Sequence, residues 1–108
     1  MVAPPIVLCK ALMVVRHIVF FKLSKKGFEN IKTIKQKLEN LQNDIPYIDF
    51  LEVGLNFCPQ VRAYDISLTV CFDSREDLTR YSIEDYHIKV VQYLKSLGTT
   101  TAVVDYEI

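Results

Sequence analysis

Two histidines, His17 and His87, are the residues best suited to chemistry in this chain of 108 residues. An imidazole has an ordinary pKa near neutrality, so it can take and give protons under mild conditions. Each ring also has a purely structural reading, as a partly buried histidine satisfied by a neighbour such as Tyr81 or by water. Tyr81 reads equally as a hydrogen-bonded core tyrosine. Other chemistries find less footing. Two histidines and a carboxylate fall short of a metal centre because no i, i+4 pair accompanies them, so no metal and no cofactor are expected. Cys58 precedes Pro59, but no basic residue adjoins it to generate a thiolate nucleophile. There is no G-x-S-x-G turn, and three glycines cannot build a phosphate-cradling loop.

Composition sets the frame that must position these groups. Thirteen basic residues balance thirteen acidic ones and half the chain is hydrophobic, which excludes disorder and predicts one domain. A domain this small hides only roughly two-thirds of its unfolded surface, so the apolar excess predicts surface left over for a partner. Cys9, Cys58 and Cys71 are odd in number and lack a C-x-x-C pair, and they read as reduced thiols of a cytoplasmic protein. Eight bases face Glu29 alone through Lys37, and twelve acids face five bases afterwards. The early lysines fall on the polar side of a helical pattern without interleaved aromatics, a solvated face and not a nucleic-acid footprint. Residues 1–12 are apolar but lack a positive leader, and Lys10, Arg16 and His17 interrupt the run before it could span a membrane. They are expected to form a poorly ordered extension, with the domain covering residues 13–108.

Within that domain the periodicity is legible. Val14 to Leu23 alternates with period two, placing Val15, His17, Val19, Phe21 and Leu23 on one face and Arg16, Ile18, Phe20 and Lys22 on the other. Phe28, Ile31, Ile34, Leu38, Leu41 and Ile45 then recur at helical spacing, and the helix stops at Ile45-Pro46. A second strand is expected from Asp49 to Asn56. A third sets Tyr64, Ile66, Leu68, Val70 and Phe72 against Asp65, Ser67, Thr69 and Cys71. Ser74 to Asp77 and Ser82 to Asp85 read as two capping boxes. The first opens a short helix with Leu78 and Tyr81. The second opens a longer one with Ile83, His87, Val90, Val91, Leu94 and Leu97, closed by Gly98. A last strand runs from Thr99 to Ile108. The order is β-α-β-β-α-β, an α+β ferredoxin-like plan with both helical segments on one face of an antiparallel sheet. The other face, carrying Ile18 and Phe20, predicts a homodimer.

The run Arg16 to Lys22, then Ile45-Pro46, Phe50 to Gly54, Tyr64 to Ile66, Phe72 to Ser74 and Val103 to Tyr106 resembles, landmark by landmark, the stress-responsive A/B barrel domain, or Dabb, family. The resemblance implies a dimeric α+β barrel and a small-molecule pocket. In a plant polyketide cyclase of that family a helix histidine is the general base and a tyrosine six residues earlier holds the substrate, which here implies His87 and Tyr81. His17 matches a further pocket histidine, and Val19, Phe21, Ile34, Leu38, Leu68, Val90 and Val103 are implied as the apolar lining. Glu84-Asp85-Tyr86-His87 stands where many members read His-Pro-x-His, and Ile66 where the plant enzymes carry a histidine, which predicts a drier pocket. Three functions follow as expectations: a homodimer that binds a small apolar carbonyl-bearing metabolite in its pocket or has a structural role in stress response, without turnover; an acid-base enzyme using His87 and Tyr81; or a cofactorless monooxygenase.

Overall fold

The computed structural model describes residues 14–108, and the extension expected over residues 1–12 lies outside them. The β-branched and aromatic run forms β1 (Val15–Lys22), which pairs with β3 (Ile66–Phe72) and β4 (Thr100–Glu107), while β2 (Phe50–Leu55) flanks β3. The sheet is antiparallel in the order β2-β3-β1-β4. Helices α1 (Lys25–Glu29), α2 (Ile31–Glu39) and α3 (Leu41–Asp44) fill the first crossover, and α4 (Arg75–Ser82) and α5 (Asp85–Ser96) the second. This is the α+β, ferredoxin-like plan that the hydrophobic pattern predicts.

Register decides which side chains meet. His17 lies opposite Val70 on one side and Asp105 on the other, and Phe21 lies opposite Ile66 and Thr101. Because side chains alternate across a strand, Val15, Val19 and Phe21 share the helix side with Ile66, Leu68, Val70 and Phe72. They form one core with Ile34, Leu38, Leu41, Ile45, Tyr81, Val90, Leu94 and Leu97. The opposite face leaves Phe20, Val104 and Tyr106 exposed. Helix ends are fixed locally. The Ser74 hydroxyl accepts from Asp77 N–H at 3.2 Å and starts α4. Gly98, at φ 73°, ends α5, with its own N–H and that of Thr99 bonded to the Lys95 and Leu94 carbonyls.

The structure departs from the sequence pattern in four places. The single helix expected from Phe28 to Ile45 is three segments jointed at Asn30 and Asn40, where Asn30 Nδ2 donates to the Lys26 carbonyl and competes with the helical ladder. The joint turns Phe28 off the apolar face and leaves it 50% exposed. Gly27 packs there instead, close enough that an added Cβ would lie 3.1 Å from Leu23 Cβ. The second capping box does not form: Ser82 remains in α4 and donates to the Thr79 carbonyl, Glu84 caps α5, and Ile83 is exposed. Cys71 is disulfide-bonded, so the expectation of three reduced thiols is corrected there, whereas Cys58 is free and exposed. The pleat puts Cys71 on the open side of the sheet, but it is fully buried with Val14 and Phe50, a setting that its place in a polar row of the sequence does not disclose.

Candidate functional site

Tyr81, at the end of α4, is the centre of the site. Its ring packs 5.1 Å from Phe72, 5.7 Å from His17 and 4.3 Å from His87. The short link between α4 and α5 explains the last contact: Glu84 N–H returns to the Tyr81 carbonyl and α5 begins at once, which brings His87 in its first turn over the tyrosine ring. The Tyr81 side chain is only 1% exposed. Its hydroxyl has no hydrogen-bond partner among the described residues and, unlike that of Tyr47, is not sealed inside the protein.

Electrostatics assign the two groups opposite capacities. Burial, helped by the nearby Tyr47, pushes the Tyr81 phenol well above its ordinary pKa, so it stays a proton donor throughout the physiological range. Burial lowers the His87 pKa, the Ser82 backbone opposes this, and the His17 ring lowers it further. His87 is therefore a neutral imidazole at pH 7, and its Nδ1 is buried with no hydrogen-bond partner. His17 is held differently: its Nδ1–H donates to Asp105 Oδ1 across the β1–β4 pairing at 2.5 Å, which fixes the ring and its tautomer.

These groups close one end of a cavity of about 250 Å³ between sheet and helices. Of the residues expected to line it, His17, Val19, Phe21, Leu38, Leu68, Val90 and Val103 do so, together with Tyr81 and His87. Ile34 does not. It is buried in the core, while Leu38 of α2 and Leu41 of α3 reach the cavity. Ile66 likewise borders a separate shallow groove beside the β2–β3 loop. Residues that the sequence pattern does not single out complete the wall: Leu41, Val91, Leu94, Lys95, Thr99 and Thr101. Asp105 adjoins it beside His17, Tyr81 and His87 in a neighbouring recess. Its signal in the sequence is an acid on a β-branched strand, and only the register with β1 reveals the partner.

Chemically, an apolar chamber ending on a neutral imidazole and a protonated phenol can receive a carbonyl compound, hydrogen-bond its oxygen and accept a proton from the adjacent carbon. Among the described residues no group of three or more His, Cys, Asp or Glu could hold a metal ion, and no helix is long and apolar enough to cross a membrane.

Comparison with known proteins agrees with this architecture. The profile of the Stress Responsive A/B Barrel Domain matches residues 15–108, while no curated protein matches in sequence. A dimeric protein of unknown function and ferredoxin-like fold from Bacteroides fragilis is 31% identical, with a TM-score of 0.76 over 88% of this chain and 96% of that one. A hydroxynitrile lyase from Passiflora edulis, 21% identical, shares the fold with a TM-score of 0.77 over 88% and 93%. A Dabb family protein from Mesorhizobium loti, 19% identical, gives 0.68 over 87% and 95%. With its profile matched along the whole β-α-β-β-α-β unit, the chain belongs to the stress-responsive A/B barrel domain family.

Proposed function

We propose that the protein is a homodimer, paired through the open sheet face, whose apolar pocket binds a small carbonyl-bearing molecule. The observation that carries the ligand reading is the cavity of about 250 Å³ whose mostly apolar walls end on His17, Tyr81 and His87. Its size suits a small metabolite, since pockets for drug-sized ligands begin at about 300 Å³. Pairing is supported by the exposed Phe20, Val104 and Tyr106 on the helix-free face and by relatives described as dimeric.

The test is direct. Native mass spectrometry and thermal melting with a panel of small ketones and aldehydes should detect one ligand per chain. Val103→Trp, which fills the cavity from a half-exposed position on β4, should abolish binding without unfolding the protein. A panel that leaves the melting temperature unmoved, or a Val103→Trp variant that binds like the parent, would overturn the reading. Sedimentation at micromolar concentration should give the mass of two chains, and a monomer would remove the pairing.

One observation favours turnover as a second reading. His87 combines a lowered pKa with a place on the cavity wall against the Tyr81 ring, as a general base would. The carbon–hydrogen bond beside the carbonyl would break, its proton passing to His87 and its electron pair to an enolate oxygen held by the Tyr81 hydroxyl. The hydroxynitrile lyase of the same fold offers a precedent for chemistry on this scaffold. Deuterium exchange beside the carbonyl of 2-decanone, followed by NMR in heavy water, should be accelerated by the protein and not by His87→Ala. Equal rates in the two would leave binding alone.

A further inference from the structure

The cavity has a second polar end. Helix α5 runs from His87 toward Lys95 and β4 returns from Thr99 toward Asp105, so the two elements lie antiparallel along the cavity. The eight residues from His87 to Lys95 span about 12 Å of helix, and the four from Thr101 to Asp105 about 13 Å of strand. His17, Tyr81 and His87 therefore close one end, and Lys95, Thr99 and Thr101 border the other, with Val91, Leu94 and Val103 between. At this far end Thr99 is half-buried and its Oγ1 makes no hydrogen bond among the described residues. The Lys95 ammonium makes no ion pair or hydrogen bond among the described residues. The carbonyls of Leu94 and Lys95, which would repel a negative group, are already occupied by the N–H groups of Thr99 and Gly98.

Resting on the carbonyl-pocket reading, we infer that the ligand is an amphipathic monoanion, a medium-length carboxylic acid whose carboxylate sits at Lys95, Thr99 and Thr101 and whose carbonyl reaches Tyr81 and His87. One lysine with two hydroxyls matches the single charge of a carboxylate better than a phosphate dianion, which typically gathers several cations. The apolar walls between the ends require an alkyl or aryl body. The separation of the ends makes chain length a specificity filter, because a short acid cannot occupy both at once.

The experiment compares two probes of equal length, 2-decanone and 9-oxodecanoate, by calorimetry. The parent protein should bind the oxo acid about tenfold more tightly than the ketone, the gain of one charge-assisted hydrogen bond. In Lys95→Met that preference should fall to about one, and in Lys95→Glu it should reverse, while Thr99→Val, isosteric at a half-buried site, should lower it about threefold. If 2-decanone binds but the oxo acid shows no preference, or the preference survives Lys95→Glu, the anionic end is refuted and the carbonyl pocket stands. If neither probe binds, both readings fall together.

Discussion

Replacing Tyr81 by phenylalanine separates what the ring does for the fold from what the hydroxyl does for a ligand. The ring packs among Phe72, His17 and His87 and is 1% exposed, so Tyr81→Ala, which empties that space, should cost about 3–5 kcal/mol of stability. Tyr81→Phe keeps the packing and removes a hydroxyl that has no partner among the described residues. Its stability should therefore stay within about 0.5 kcal/mol of the parent, a melting shift of only about 2 °C. A carbonyl ligand is different. A neutral hydrogen bond contributes about 0.5–1.5 kcal/mol, so binding of 2-decanone should weaken about threefold to tenfold. If the site also abstracts a proton, the bond to the developing enolate is charge-assisted and worth about 1.5–3 kcal/mol, and the exchange rate should drop about tenfold to a hundredfold. The larger effect on rate than on affinity is the mark of an interaction strengthened in the transition state. Urea unfolding at one fixed protein concentration, calorimetry and NMR exchange measure the three quantities. A Tyr81→Phe protein destabilised by about 2 kcal/mol would show that the hydroxyl serves the fold, and equal losses in rate and affinity would sink its role in turnover.

Other perturbations test the neighbouring groups. The folded-state pKa of His87 is lowered by burial, so the unfolded chain takes up the proton first. The resulting loss of stability begins as pH falls through about 6.5 and saturates below the folded-state value. His87→Gln should flatten the difference in urea midpoint between pH 7 and pH 5. Asp105→Asn replaces the carboxylate that accepts from His17 Nδ1–H, and heteronuclear NMR of the ring should show the Nδ1 tautomer lose its dominance while the fold persists. Gly98→Ala forces a Cβ into the left-handed region at φ 73° and should lower stability by about 1 kcal/mol, measured by thermal unfolding. Ser74→Ala removes the cap that accepts from Asp77 and should lower it by a similar amount, about 1 kcal/mol.

The elements are legible in the amino-acid sequence wherever the physics is local. Alternation in β1 and β3 follows from the pleat, so the period-two pattern by itself places Val19, Phe21, Leu68 and Val70 on the core side. Pro46 and Gly98 mark helix ends because their backbone preferences act within one or two residues. Helical spacing misplaces Phe28, since a 3.6-residue period carries no warning that Asn30 will interrupt the ladder. Ser82 looks like a cap only if the preceding helix ends sooner than it does.

The site is legible to a different depth, because a cavity is a property of how elements cross. Ile34, Leu38 and Leu41 share one apolar face of the first helical segment, yet Leu38 and Leu41 reach the cavity and Ile34 fills the core instead. No periodicity distinguishes them, since that depends on the angle at which α2 meets the sheet. Asp105 pairs with His17 only through the β1–β4 register, and a slip of one residue would point its side chain to the other face. The polar far end has the same origin. Lys95 alone reads as a solvated helix lysine and Thr99 as a turn residue, and neither suggests a ligand. The antiparallel course of α5 and β4 sets them about 12 Å from His87 along one chamber, and that geometry turns two ordinary residues and an apolar stripe into a site with two chemically different ends.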